Sequence, residues 1–125
     1  MKIVTWNVNG IRSALAKGFR QWYDQLKPDI LCMQEIKADK NPIEEMAKDL
    51  HMSWNAAVRK GYSGVATLSR QQPVSVRYGL GHALFDLEGR AIVSEYPQFT
   101  LLNLYFPNSQ RGLLRLDYKL AFNDH

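Results

Sequence analysis

A single cysteine, Cys32, stands in the whole chain, which excludes an intrachain disulfide and a cysteine-based zinc site. It lies in the apolar run Ile30-Leu31-Cys32-Met33, where a thiol reads as a small buried hydrophobe. No apolar stretch is long enough to cross a bilayer, and Met1 leads into a strand-like segment with no basic start ahead of an apolar run. The expectation is a cytoplasmic protein with no membrane partner. Internal repeats and low-complexity segments are lacking too, and with 46% hydrophobic and 22% charged residues the composition is that of an ordinary globular protein. Disorder and collagen-like structure are excluded on that ground. The 125 residues are enough for one domain with a sizeable core and too few for two.

Charge of one sign is in modest excess: 16 Lys and Arg against 12 Asp and Glu give a net charge of +4 and a pI near 9.3. Several cations, among them Arg12, Lys37, Arg59, Lys60, Arg90, Arg111 and Arg115, fall at or near segments that read as loops and element ends. Basic loops suit a polyanionic partner and phosphate contacts.

Lys2 to Trp6 reads as a short strand, and Ser13 to Leu26 sets Leu15, Phe19, Trp22 and Leu26 on one helical face, ended by Pro28-Asp29. Ile30 to Gln34 is a continuous apolar run, as a buried parallel strand should be. The first third therefore predicts a strand-helix-strand unit with parallel strands. Asn41 as N-cap, Pro42 at the first helical position and Glu44 closing a capping box announce a second helix. From Trp54 onward, short strands are expected at 54–58, 65–69, 74–77, 90–95 and 99–105, punctuated by glycine and proline. A last helix carries Leu113, Leu116 and Leu120 on one face and runs to His125 without a glycine stop, so the chain reads as cut rather than finished.

If the first two strands are parallel neighbours, their carboxyl ends open on one sheet edge, where α/β proteins place their sites. Asn7 and Glu35 follow those strands. An amide and a carboxylate there offer hard oxygens of the kind Mg²⁺ accepts while keeping several waters. On these residues alone Asn7 reads first as an Asx-turn residue in Asn7-Val8-Asn9-Gly10, and Glu35 equally as a solvated strand-end charge. Tyr105 ends another strand, either as a core aromatic or as a phenol donating to a phosphate oxygen, just before a loop carrying Asn108 and Arg111.

Five stretches in order give these signals a common meaning: Ile3-Val4-Thr5-Trp6-Asn7-Val8-Asn9-Gly10-Ile11-Arg12, Lys27-Pro28-Asp29-Ile30-Leu31-Cys32-Met33-Gln34-Glu35-Ile36-Lys37, Gly61-Tyr62-Ser63-Gly64-Val65, Glu88-Gly89-Arg90 and Tyr105-Phe106-Pro107-Asn108-Ser109-Gln110-Arg111-Gly112. On them the chain resembles the exonuclease III and apurinic/apyrimidinic (AP) endonuclease family of DNA repair nucleases. The resemblance implies that Glu35 and Asn7 serve the metal, Mg²⁺ with Mn²⁺ as a substitute, and that Asn7 and Tyr105 act at the scissile phosphate. It further implies that Arg12, Tyr62, Arg90, Asn108, Arg111 and Arg115 face DNA or its phosphates. Asn9 stands where some members carry aspartate. The implied reaction is metal-assisted hydrolysis of duplex DNA 5′ to abasic sites, with 3′ to 5′ exonuclease activity.

Two of that family's motifs, Gly-Asp-x-Asn and Ser-Asp-His, have no match here. His51 and His82 read as surface residues, and His125 is the last residue. The implied fold class is therefore α/β, residues 1–125 forming the N-terminal half of a four-layer α/β sandwich: one mixed sheet with flanking helices, its second half absent from the chain. Such a half leaves an apolar sheet face open, so the expected partners, besides abasic-site DNA, are a complementary C-terminal half or a second copy. Two other readings stand beside the nuclease: a non-catalytic DNA-binding half-domain, and another phosphodiesterase of the wider superfamily.

Overall fold

The computed structural model describes residues 1–39, 41–43, 48–81 and 86–106. Along the chain run β1 (Ile3–Asn7), α1 (Ile11–Ala16), α2 (Phe19–Leu26), β2 (Ile30–Gln34), β3 (His51–Asn55), β4 (Val65–Ser69), β5 (Ser75–Tyr78), β6 (Ala91–Glu95) and β7 (Thr100–Leu104). The expected parallel pair is there, with Ile3 opposite Ile30 and Asn7 opposite Gln34. β4 runs antiparallel to both β2 and β3, which completes a mixed sheet in the order β1-β2-β4-β3. The mixed sheet of the sequence reading thus comprises four strands, and the other three form a second, antiparallel sheet β5-β6-β7.

Alternation along each strand decides what each face meets. Leu31, Met33, Ala66 and Leu68 share one core cluster with Ile11, Ala14, Phe19 and Tyr23 of the helices. On the same side Trp6 stacks on Phe19 at 5.5 Å between ring centroids and meets Trp22 at 4.7 Å. Ile30 and Cys32 point the other way, into a smaller cluster with Tyr96, Phe99 and Leu101 of the second sheet. β2 is consequently buried on both faces, as its unbroken apolar run requires.

Asn103 pins the two sheets together. Its side chain is buried and donates to the Ala66 carbonyl at 2.8 Å and to Thr67 Oγ1 at 3.1 Å, while its Oδ1 accepts from Gln34 Nε2 at 2.9 Å. Gln34 Nε2 also donates to Thr5 Oγ1 at 3.0 Å, so one amide chain ties β7 to β4, β2 and β1. Asn55 Nδ2, donating to the Ala91 carbonyl at 2.8 Å, adds a second polar tie between the sheets.

Several boundaries differ from the sequence reading for identifiable reasons. The single helix expected over 13–26 is two, because Gly18 takes φ 99° and ends the first segment, and α1 begins earlier at Ile11. The strand expected at 54–58 lies at His51–Asn55. Beyond it Val58 leaves the sheet and its N–H donates to the Leu87 carbonyl at 2.9 Å. That close approach needs Gly89 (φ 55°): a Cβ there would lie 2.5 Å from the Asn55 carbonyl oxygen. In the region of the second expected helix, Asn41 Oδ1 accepts the Ile43 N–H at 2.9 Å and the chain turns at Pro42-Ile43. Residues 44–47 of that helix, and the final helix, lie outside the described residues, while 48–50, expected to carry the helix to Leu50, are turn and bend instead.

The face expected to stand open is largely covered, because the second sheet packs over β2 and β4. Among the described residues the β1 margin stays open: Ile3 is 47% exposed, and Thr5 and Asn7 are exposed beside it. Exposed Val74, Tyr78 and Leu102 add apolar surface on the second sheet.

Replacing Asn103 with alanine strands its buried partners without donors, and a lost buried hydrogen-bonding group costs about 1–3 kcal/mol. Urea unfolding of Asn103→Ala is expected to show a destabilisation in that range; a change close to zero would remove Asn103 from its bridging role.

Candidate active site at one end of both sheets

The parallel pairing places the carboxyl ends of β1 and β2 side by side, and the antiparallel course of β4 brings its amino end to the same edge. β7 finishes there too, since Asn103 lies against Gln34 at the end of β2. Asn7, Glu35, Ser63 and Tyr105 therefore arrive at one end of the sandwich from four separate segments.

The loops that deliver them are knit backbone to backbone. Gly10 N–H donates to the Glu35 carbonyl at 2.7 Å and Ile11 N–H to the Ile36 carbonyl at 2.9 Å, while Ile36 and Lys37 N–H groups donate to Gly64 and Ser63 carbonyls at 3.2 and 2.9 Å. Four non-glycine residues here hold left-handed backbone conformations: Asn9 (φ 48°), Glu35 (φ 53°), Lys37 (φ 53°) and Ser63 (φ 52°). Such conformations cost free energy and persist where surrounding contacts over-determine them, as they do at functional sites.

Asn7 Nδ2 donates to Glu35 Oε1 at 3.0 Å, and Asn7 Oδ1 accepts the Asn9 N–H at 3.0 Å. The Asx turn and the carboxylate partnership, alternatives in the sequence, coexist in one side chain. Lys37 Nζ lies 3.4 Å from Glu35 Oε2 and donates to Asn9 Oδ1 at 2.7 Å. Burial pulls the Glu35 carboxyl upward, but hydrogen bonds from Asn7 and Tyr105 and the Lys37 charge outweigh it and hold the group below the ordinary glutamate range. Burial, then the hydrogen bond to Glu35 and the charge on it, lift the Tyr105 phenol to about 12, with the Arg90 cation acting in opposition. Glu35 is thus a carboxylate and Tyr105 a protonated donor at neutral pH.

Behind Tyr105 stands Arg90, 2% exposed. Its Nε and Nη2 lie 2.8 and 2.7 Å from Glu88 Oε1, its Nη2 donates to the Tyr62 hydroxyl at 3.0 Å, and its Nη1 donates to the Tyr105 carbonyl at 3.2 Å. Tyr105 N–H donates in return to the Arg90 carbonyl at 2.9 Å. The guanidinium also lies over the Tyr105 ring, 5.0 Å from its centroid. Arg90, which the resemblance places facing DNA or its phosphates, is buried and engaged on its polar edges, where it braces Tyr62 and Tyr105.

The structure unites Asn7, Glu35 and Tyr105 in one cluster and joins Tyr62 and Arg90 to it through Tyr105. Arg12 is exposed in the first turn of α1, one residue beyond Ile11, whose N–H is bonded to the Glu35-Ile36 loop. Asn108, Arg111 and Arg115 lie outside the described residues, as do His82 and His125; His51 is exposed at the start of β3. Glu88 was missed as a functional residue. The signal available for it was the Glu-Gly-Arg spacing, in which a glycine that folds tightly lets the carboxylate turn back onto the arginine.

For a metal the described residues offer the Glu35 carboxylate, held by the Asn7 amide nitrogen while the Asn7 oxygen accepts from Asn9, and no group of three or more His, Cys, Asp or Glu side chains gathers among them. That donor set fits a hard dication that keeps most of its shell as water. Nor, among the described residues, is any helix long and apolar enough to cross a membrane.

Known proteins share this fold and much of this sequence. The chain is 41% identical over 125 residues to an exodeoxyribonuclease of Bacillus subtilis, matching 99% of this chain and 50% of that protein. It is 44% identical over 128 residues to the DNA repair nuclease APEX1 of Danio rerio, covering 98% of this chain and 41% of that one. Among solved structures, the 3′-5′ exonuclease NExo of Neisseria meningitidis superposes with a TM-score of 0.83 at 32% identity over 97% of this chain and 48% of that one. An AP endonuclease of Archaeoglobus fulgidus superposes with a TM-score of 0.81 at 33% identity over 99% and 48%. The chain spans about half the length of the relatives it matches, and its α/β architecture of mixed and antiparallel sheets is that of half their fold. Residues 4–124 match the Endonuclease/Exonuclease/phosphatase family, and the chain belongs to that family.

Proposed function

We propose that this chain carries the metal- and phosphate-holding half of a DNA repair nuclease that hydrolyses phosphodiesters 5′ to abasic sites and removes nucleotides from 3′ ends. The observation that carries the reading is the convergence of Asn7, Glu35 and Tyr105 on one sheet end, with protonation states set in opposite senses. Glu35, assisted by Asn7, would hold Mg²⁺ or Mn²⁺, which offsets negative charge on a phosphate during hydrolysis. Tyr105, protonated and braced by Arg90, is suited to donate a hydrogen bond to a phosphate oxygen. Lys37 adds positive charge at the cluster. Arg12, Tyr62, Asn108, Arg111 and Arg115 would contact the DNA backbone around it.

No described histidine or second carboxylate reaches the cluster to activate water. The groups that do so are proposed to come from a complementary half, docked along the exposed β1 margin, or from a second copy of the chain. The names of the relatives, an exodeoxyribonuclease, a DNA repair nuclease and an AP endonuclease, support DNA as the substrate. The non-catalytic reading is the same site without those groups: DNA held through its phosphates and not cut.

A duplex with one abasic site, incubated in Mg²⁺ and in EDTA with the chain together with the C-terminal half of a full-length relative, separates the two. The nuclease reading expects Mg²⁺-dependent incision, in which Glu35→Ala loses most of the rate and Tyr105→Phe about a hundredfold, the cost of removing one preorganised donor. Salt-sensitive binding without incision would favour the non-catalytic half, and no salt-sensitive binding at all would sink both.

The same side chains set an acid dependence. Glu35 has a folded value below its unfolded one, so its contribution to stability is fully present above the ordinary glutamate value and is lost as pH falls through the lowered folded value. In Glu35→Gln that part of the acid sensitivity should be gone from urea unfolding measured across the acid range. Identical pH profiles for both proteins would show that the carboxylate is not held by its neighbours.

A further inference from the structure

Beside the cluster, on the far side of Tyr62, lies an open cavity of about 310 Å³ lined by Ala57, Val58, Arg59, Tyr62, Leu87 and Glu88. Its two walls are the 56–62 and 86–89 loops, joined by the Val58 to Leu87 backbone hydrogen bond. Val58 is 75% and Leu87 57% exposed. Two sizeable exposed apolar side chains lining one cleft, on residues joined backbone to backbone, are of the kind that marks a contact surface.

The chemistry of the lining is mixed in a particular way. The Arg59 guanidinium lies over the Tyr62 ring, 5.3 Å from its centroid, giving a planar aromatic and cationic platform. Arg59 and Lys60 are exposed at the rim. Glu88, the one acidic lining residue, has its charge engaged by Arg90 at 2.7 Å. Apolar walls, a stacking surface and a positive rim select a flat, weakly polar group that carries an anionic tail. The volume lies at the small end of ligand pockets and admits one such ring system.

We propose that this cleft receives an unstacked nucleobase of the strand whose phosphate lies at the Glu35–Tyr105 cluster. Continuity with that cluster is direct: the Tyr62 hydroxyl accepts from Arg90 Nη2 at 3.0 Å, and Arg90 stacks on Tyr105. A base seated against the Val58 and Leu87 side chains stacks on the Arg59 guanidinium that covers the Tyr62 ring, and its own phosphate falls toward Arg59 and Lys60. Stacking of this sort tolerates any base, so the cleft would fix the position of a strand rather than read its sequence. The inference rests on the nuclease reading for the strand's orientation but not for the binding itself.

The test uses a fluorescent base analogue. The 5′-monophosphate of 2-aminopurine deoxyriboside, and a short single strand carrying 2-aminopurine, are titrated into the full chain. Quenching of the base is expected with both probes. Leu87→Asp and Val58→Asp, both at exposed positions and checked by circular dichroism, should each weaken the quench-detected affinity about tenfold, within what one base-aromatic stack contributes. Quenching that is absent, or equal in the wild type and both variants, overturns the proposal. If either aspartate variant is misfolded, Val58→Ser and Leu87→Ser provide the same comparison without a new charge. Loss of Mg²⁺-dependent incision with the quench intact would count against the nuclease reading alone, and incision without a Leu87-dependent quench against the cleft alone.

Discussion

The parallel pairing of β1 with β2 is the constraint on which the site depends. A parallel pair must place both carboxyl ends at the same edge, so an asparagine and a glutamate that are far apart in sequence become hydrogen-bonded neighbours. The helices α1 and α2 supply the crossover and cover one face. The antiparallel return of β4 then brings the Ser63-Gly64 turn to the same edge, where its carbonyls receive the N–H groups of the Glu35 loop. Each further segment at the site is anchored to one already placed.

The bracing is of two kinds. Across the sandwich, the amides of Gln34, Asn103 and Asn55 satisfy buried polar groups and set the height at which the second sheet sits on the first. Beneath Tyr105, the Glu88–Arg90 pair and the Tyr62 hydroxyl form a compact polar network largely out of solvent. Networks of this kind rigidify when fully satisfied. Together they leave Tyr105 little freedom along its backbone or around its ring, which is the preorganisation a hydrogen-bond donor needs to act on developing charge.

Much of this was legible in the sequence. The β2 strand falls where the apolar run lies, because a strand buried on both faces leaves an unbroken signal, and β4 lies at 65–69 as expected. Asn7, Glu35 and Tyr105 could be placed at strand ends from local pattern alone. Gly18 could not be told from a tolerated helical glycine, since only its backbone angle breaks the helix. The position of β3 depends on Val58 pairing with Leu87, a contact between segments remote in sequence that no periodicity announces. The burial of Arg90 was hidden for the same reason: an arginine in a loop reads as exposed until its carboxylate, two residues away, folds back onto it. Likewise the division into two sheets follows from hydrogen-bond partners, which strand propensity does not specify.

β1 stands at the margin of the mixed sheet, with Ile3, Thr5 and Asn7 on one face and Val4 and Trp6 on the other. Any strand that pairs with it inherits this alternation. In one register, every second side chain of the incoming strand would line up beside Asn7 and toward Glu35; displaced by a single residue, the same side chains would turn to the helix side. The edge would therefore act as a ruler: for a second polypeptide pairing there, a step of one residue along it would decide which of its side chains reach the site.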